Sequence, residues 1–551
     1  MEAVEQLLYE LPNPDPDILW SNHASTEPQK ALVACVDNLL TVSNAVELEM
    51  ARLHLSASRM RFRASRWNRL HVQLREAIRG YRIISAPIRR VPDEILGEIF
   101  AACVALDKEG PDACAWLQRI VRVCRRWRNV ALSISRLWNH ISVDTCRLLD
   151  ADDMRSLAWE SEENMEYALM DARSTIRRAE LHLKNSGYSV PLSVFWSQNI
   201  DPAEVSEDID IIFARQYSAF LKTLLPQSTR VVSLKLHFGG DELRSFITRA
   251  SRVSFPALEE VDIRCLGLQP ANLWQFLRDA ISLRHLRIQS TRQLVFSDQG
   301  SAPWGRLRSC KLEDCDGDDI LRIISCFSAG ASVYLHKVGP PSPLPPSRSV
   351  VQTQVGTLHL ISCAQEFCRA LLGYTRVHAL EELCVRGYLS KSTSSSGWPS
   401  LILPFLARSE SSCQLSTLRL GVDHSSSEAL FPHLVPLLHS KHTASLVELD
   451  LTPAPITPRV LALLTAEPNL LPHLRTLRVC YWHCGSHRDK LDERALEELN
   501  ARRPELRWLW LRTQHGISGI SGGLKRRLSA RGLGVETFWV PDLWMSFLER
   551  R

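Results

Sequence analysis

The amino-acid sequence predicts an α + α/β molecule: a long N-terminal helix, a short helical unit, and then an irregular solenoid of strand–helix repeats. Three observations lead there. Residues 29–79 contain neither Gly nor Pro and carry apolar residues at alternating spacings of three and four, the pattern of a heptad helix. Residues 86–141 hold two short runs of apolar residues at helical spacing. From residue 176 onward the motif L-x-x-L-x-L, with apolar substitutes, returns at steps of 23 to 35 residues, a period that belongs to stacked repeats and not to one strand-rich domain.

Residues 1–28 are read as a mobile leader, because Pro12, Pro14, Pro16 and Pro28 stand among acidic and small polar residues. The heptad helix follows over residues 29–82. Leu32, Val36, Leu39, Val46, Met50, Leu53, Ala57, Met60, Ala64, Trp67, Leu74, Ile78 and Tyr81 share one register, with Ser43 and His71 as its polar exceptions. As one helix these residues make a coiled-coil rod about 75 Å long, at 1.5 Å per residue, and its stripe needs a partner. The expected partner is a second copy, giving self-association through residues 32–81, or else the chain's own downstream helices. Arg59, Arg61, Arg63, Arg66 and Arg69 make the second half basic. No aromatic interleaving or groove-reading motif accompanies them, so they are read as a solvated helix face and not as a nucleic-acid site.

In residues 86–141, Pro92 supplies a fixed φ, and Asp93 and Glu94 put carboxylates at the positive end of a helix. Ile95, Leu96, Ile99, Phe100 and Cys103 continue it. A second helix is marked by Leu117, Ile120, Val121, Cys124 and Trp127, and Leu137 with Trp138 closes the set after the polar residues 133–136. A unit of roughly 50 residues has little core of its own, so part of its apolar surface needs a partner. Pro87-Ile88, Val91-Pro92-Asp93-Glu94-Ile95-Leu96, Ile99-Phe100, Val123-Cys124-Arg125-Arg126-Trp127-Arg128 and Leu137-Trp138 together resemble an F-box. Separated blocks agree in order and spacing, with Val91 standing where leucine is usual. The resemblance implies docking on a Skp adaptor, which joins the chain to a cullin–RING ubiquitin ligase. The residues it carries over are Pro87, Ile88, Val91, Pro92, Glu94, Ile95, Leu96, Ile99, Phe100, Val121, Cys124, Trp127, Leu137 and Trp138.

Residues 142–175 are acidic, through Asp150, Asp152, Asp153, Glu160, Glu162, Glu163 and Glu166, and read as a connector with a helix over residues 156–170. The array is expected over residues 176–551. Its copies run from Val231-Leu234-Leu236 to Leu506-Leu509-Leu511, with degenerate ones at Leu181-Leu183 and Val333-Leu335. The spacing x-L-x-L puts two side chains on one face of a short strand. Helical patterns such as Leu273, Phe276, Leu277 and Ala280, or Leu496, Leu499 and Asn500, then carry the chain back. This resembles the leucine-rich repeat family. The family's Asn/Cys just past the strand is matched only by Cys315 and Cys363, which are expected to meet loop amides, so the resemblance implies an irregular, loosely curved horseshoe. The Pro-rich residues 339–349 and Ser-rich residues 390–400 read as exposed loops, and residues 515–534 with Trp539, Leu543, Trp544 and Phe547 as a cap. Arg287, Arg419, Arg478 and Arg507 are read as strand residues between core leucines, on the concave face that binds a target.

An apolar share of 45% and a charged share of 23% exclude global disorder. A net charge of +5 over 551 residues is too small to imply nucleic acid. The fifteen cysteines contain no CxxC pair, and no secretory signal precedes them. Thiols in a reducing compartment, cytoplasmic or nuclear, are therefore expected. No apolar run approaches the 18 or so residues of a membrane helix. Gly519-Ile520-Ser521-Gly522-Gly523 matches G-x-S-x-G, but no His follows His515 to complete a hydrolase triad in order. Cys480, His483, Cys484 and His487 offer zinc donors, though eight residues wrap more tightly than the two separated pairs usual in structural sites. No metal or cofactor is expected, and no enzyme.

The order heptad, box, repeats resembles a group of fungal F-box proteins. It implies a substrate-recognition adaptor of a Skp–cullin–F-box ligase, working by proximity. Two rivals stand beside it: a repeat scaffold without ubiquitin transfer, and a nucleic-acid-binding solenoid using the basic heptads and strand-face arginines.

Overall fold

A computed structural model describes residues 26–539 apart from residues 56–60, 86, 107–112, 145–161, 198–217, 219, 267–272, 291–302, 343–349, 388–398, 410–413, 423–426, 453–456, 482–492 and 514–521. The chain divides into two units, residues 1–142 with 178–190, and residues 143–177 with 191–551. Residues 1–25 of the leader, most of the Pro-rich and Ser-rich runs, Ser521, His483, Cys484, His487, and Leu543, Trp544 and Phe547 of the expected cap lie outside the described residues, whereas residues 26–28, expected in the leader, open the first helix.

In the first unit the heptad run is helical, but as two helices, α1 (Thr26–Leu55) and α2 (Arg61–Ser85). His71 Nε2 of α2 lies 2.8 Å from Glu47 Oε1 of α1, and Arg75 donates to the same oxygen at 3.0 Å. On one straight helix Glu47 and His71 would stand about 36 Å apart. The two helices are therefore antiparallel, and the expected 75 Å rod is corrected. Val36, Leu39 and Val46 pack with Leu74, Ile78 and Tyr81. A stripe with one register over both halves meets itself when the helix folds back, so it needs neither a second copy nor the downstream helices as its partner. The polar exceptions Ser43 and His71 are buried at that seam.

The next elements are a 3₁₀ turn (Pro87–Arg90), α3 (Asp93–Leu106), α4 (Ala113–Val123), α5 (Arg125–Ser133), a second 3₁₀ turn (Ser135–Trp138), β1 (His140–Asp144) and α6 (Glu162–Asn185). The single helix expected through Leu117 to Trp127 is two, because Cys124 is extended and caps α5, its Sγ accepting from Trp127 N at 3.5 Å. Leu181 and Leu183, expected as a first strand, belong to α6, which ends before Gly187 at φ +67°. An isolated Leu-x-Leu fits a helix as well as a strand, and the unbroken helical run around it prevails.

The second unit carries β2 (Leu192–Ser197), β3 (Val231–Gly239), β4 (Glu260–Leu266), β5 (His285–Ser290), β6 (Ser309–Glu313), β7 (Ser332–His336), β8 (Val351–Thr353), β9 (Thr357–Ile361), β10 (Thr375–Val377), β11 (Glu382–Gly387), β12 (Thr417–Val422), β13 (Glu448–Asp450), β14 (Thr476–Tyr481), β15 (Trp508–Thr513) and β16 (Gly534–Trp539). From β2 to β16 these strands pair parallel in chain order, except that β8 and β10 pair with each other. The Leu-x-Leu residues point inward and are buried in every strand that bears them, for example Leu234, Leu236, Leu286 and Ile288. Helices return the chain: Leu273–Asp279 buries Leu273, Trp274, Phe276 and Leu277, and Glu493–Arg502 buries Leu496, Leu499 and Asn500.

One residue past β6, β7 and β9, the non-glycine residues Asp314, Lys337 and Ser362 take φ of 57°, 52° and 52°. Their N–H groups donate to His336 O, Ile361 O and Arg386 O of the next strand, which offsets the strain of a left-handed residue. Cys315 and Cys363 follow. Their thiols donate to carbonyls, Cys315 to Glu313 O at 3.5 Å and Cys363 to Leu335 O at 3.4 Å, and Cys363 also meets the backbone of the turn residue Val338. Among the described residues no helix is long and apolar enough to cross a membrane.

Candidate functional site

Two surfaces arise from this framework, one on the α3–α5 unit and one on the parallel sheet. In the first, helical spacing sorts the residues of α3 between two faces. Leu96, Phe100 and Val104 turn inward onto Leu117 and Ile120 of α4, Val130 and Ala131 of α5, and Leu137 and Trp138. Phe100 and Trp127 place their ring centroids 4.9 Å apart, and Trp138 Nε1 donates to Ala131 O at 2.7 Å. On the other face Ile95 and Ile99, one turn apart, are 53% and 39% exposed, and Ile88 of the preceding turn is 37% exposed. Soluble helices do not ordinarily leave such a row open without a use for it.

Arg126 holds that face in place. Its guanidinium donates to Arg89 O at 2.6 Å, to Val91 O, and to Asp93 Oδ1 at 2.6 and 2.8 Å. The side chain is 16% exposed, so α5 clamps the segment that leads into α3. Residues 88–144 match the F-box-like family. No curated protein matches the chain. The F-box-like segment runs three residues beyond the boundary at 141 read from the sequence, to the end of β1.

Such a segment implies a Skp-type partner, and the structure sorts the residues carried over for it. Pro87, Ile88, Pro92, Glu94, Ile95 and Ile99 are exposed; Val91, Val121, Cys124 and Trp127 are half-buried. Leu96, Phe100, Leu137 and Trp138 are buried, so their expected place at the contact is corrected: they fill the core that sets the exposed row. Arg126 stood in the quoted motif without a role; its signal was a charge wedged between Cys124 and Trp127 at the start of a helix. Behind the segment, His182 Nδ1 donates to His140 O at 2.9 Å, and the ring meets Trp138 edge-on at 5.0 Å. Burial holds the His182 pKa down at about 4.

On the sheet, the residue between the two core positions of each strand faces away from the core, and pairing aligns these residues in one row. Arg287, Arg419 and Arg478 stand in it as expected. Arg507 does not. It precedes β15, and the residue in register with Arg478 is Trp510; Arg478 lies 5.0 Å from the Trp510 ring centroid. The error came from taking the x-x of L-x-x-L for the x of L-x-L.

None of the three arginines is a lone cation. Arg287 lies 2.9 Å from Glu313 Oε1 and 3.8 Å from Asp262 Oδ2. Arg419 lies 3.3 Å from Glu382 and 3.5 Å from Glu448, and Arg478 lies 3.1 Å from Glu448. Glu313 is nearly enclosed; burial alone would raise its pKa, but hydrogen bonds from His336 and Lys311 and the charges of Lys311 and Arg287 hold it well below the usual carboxylate range. Asp262 goes the other way, since burial outweighs Arg287, Arg264 and Lys235. Around Asp262, Arg287 and Glu313 the sheet forms an open groove of about 1160 Å³, whose lining alternates in sign.

Proposed function

We propose that this chain is the substrate-recognition subunit of a Skp–cullin–F-box ubiquitin ligase. The F-box-like segment would dock on the Skp adaptor, and the sheet-bearing unit, read as irregular leucine-rich repeats, would hold a protein target. The observation that carries the reading is the exposed row Ile88, Ile95 and Ile99 on a segment that matches the F-box-like family and fills its own core. The mechanism is proximity: target lysines meet the ligase's E2 at raised effective concentration, while this chain makes and breaks no bonds. The succession of helices, box and repeats supports a place in the fungal group of such proteins. No disulfide joins the cysteines among the described residues, which suits a reducing compartment, cytoplasmic or nuclear.

The carboxylates beside Arg287, Arg419 and Arg478 weigh against the nucleic-acid rival, since a phosphate backbone would meet Glu313, Glu382 and Glu448 as well. The test is capture of a Skp adaptor by the full-length chain. Capture in stoichiometric amount is the expected result. Failure of a folded chain to bring it down removes the ligase reading and leaves the scaffold.

A further inference from the structure

We infer that Cys363 and Cys368 form an oxidisable pair, which a peroxide closes into a disulfide across the entry to the helix Gln365–Tyr374, releasing the contact that Cys363 makes with the neighbouring strand β7.

The pairing follows from the way that helix begins. Ala364 is its N-cap and has no side chain to cap it, so Cys363 stands one residue before the cap and Cys368 at the fourth helical position, where Cys368 N donates to Ala364 O at 3.0 Å. Residues at these two places pack on each other and fix the angle at which a chain enters a helix. In the turn after β6 the same two places hold Cys315 and Ile320, both buried, so an ordinary apolar side chain fills the position within the helix. In the turn after β9 both places hold thiols. They are hydrogen-bonded to each other, so a bond between the two sulfur atoms needs side-chain rotation and no displacement of the helix.

The two thiols are not equivalent. Burial pushes the Cys363 thiol up, but hydrogen bonds with Cys368 and with the backbone of Val338 and Ile361 outweigh it and hold the thiol below its ordinary value. The Cys368 thiol goes well above, first through the hydrogen bond with Cys363 and then through burial. Cys363 also lies at the amino end of a helix, where a thiolate is favoured. It keeps 8% exposure, against 3% for Cys368, 1% for Cys315 and 0% for Cys310. A small oxidant therefore meets Cys363 first, and Cys368 resolves.

With hydrogen peroxide as the oxidant the reaction balances. The Cys363 thiolate attacks one peroxide oxygen, the O–O bond breaks, and the departing hydroxide takes up the thiol's proton as water, leaving a sulfenic acid. The Cys368 sulfur then attacks the sulfur of that acid and expels hydroxide, which takes the Cys368 proton as a second water. Two thiols and one peroxide give one disulfide and two waters. What the fold loses is a donor: the reduced Cys363 thiol lies 3.4 Å from Leu335 O of β7 and 3.5 Å from Ile361 O, and a disulfide has no proton to give them.

The test uses the full-length protein, reduced, freed of reductant, exposed to hydrogen peroxide, alkylated in denaturant and cut with trypsin. The peptide of residues 349–369 carries Cys363 and Cys368 and no other cysteine. It should emerge unalkylated and lighter by two hydrogens, and dithiothreitol should restore both alkylation sites. The exposed Cys326 reports that the oxidant acted. Cys368→Ala should halt the reaction at a sulfenic acid on Cys363, which dimedone traps, whereas Cys363→Ala should leave Cys368 open to alkylation. Alkylation of both cysteines in a sample whose Cys326 is oxidised, or a bond from either to a third cysteine, overturns the inference, and this mapping on the parent chain decides even where a variant fails to fold. The Lys337 amide donates to Ile361 O at 3.0 Å, and its exchange should quicken about twofold or more in the oxidised protein. Unchanged exchange with the disulfide in place overturns the release of β7.

Discussion

Ile95→Asp with Ile99→Asp isolates the proposed adaptor face from the fold beneath it. Burying a whole isoleucine side chain contributes about 1.5–3 kcal/mol. Ile95 and Ile99 are 53% and 39% exposed, so together a partner can remove from water about the equivalent of one side chain. Truncating both to Ala should then weaken adaptor binding by about tenfold to a hundredfold. Two carboxylates placed in the contact add several kcal/mol of desolvation each, and the Asp pair should lose more than about a thousandfold. Neither site is part of the core, so the unfolding free energy in urea should change by less than about 1 kcal/mol, mostly helix propensity. Calorimetric titration with purified Skp adaptor reads the first effect and denaturation the second. Binding by the Asp pair within about threefold of the parent would refute the placement of the contact. Phe100→Ala is the contrast: Phe100 is 1% exposed and packs on Trp127, so its loss should cost about 3–5 kcal/mol of stability.

Arg503 is wholly enclosed and donates to Leu464 O at 2.8 Å, Glu467 O at 2.7 Å, Leu471 O at 3.3 Å and Leu470 O. Arg503→Met strips donors from these carbonyls and should destabilise the array by about 3 kcal/mol, whereas Glu498→Ala, which breaks an exposed pair, should cost less than about 0.5 kcal/mol; equal urea midpoints would contradict this. His182, held neutral with a pKa of about 4 against an ordinary 6.5, takes up a proton more readily unfolded than folded. Stability of the first unit should therefore fall as pH drops from about 6.5 toward 4, and His182→Gln should flatten that slope. Leu74→Ala, at a seam position 1% exposed, should loosen the α1–α2 hairpin by about 2–5 kcal/mol, read as faster amide exchange in both helices. Exchange confined to α2 would argue against the hairpin.

The strands were legible because each strand needs its own buried leucines, and periodicity along the chain records that need directly. Leu234, Leu286, Leu383 and Leu477 all fall where the motif places them. The pairing of β8 with β10 left no such mark, since three-residue strands carry too little pattern. The F-box-like segment was legible as a motif, yet its letters do not say which face each apolar residue takes. Ile95 and Leu96 are neighbours in sequence and opposites in exposure.

Local composition thus settled helix against strand for most elements, though not at Leu181 and Leu183, together with the position of the box and the order of the elements, because these depend on residues close in the chain. The heptads could not announce that they fold back. A stripe in one register satisfies a partner in trans and its own second half equally, and only the packing of Leu39 near Leu74 and the meeting of Glu47 with His71 choose between them. The same holds on the sheet. The sequence shows Arg287 and Arg478 only as strand-face residues, and the carboxylates that answer them, Glu313 and Glu448, come from neighbouring strands some 26 to 30 residues away, brought close by parallel register.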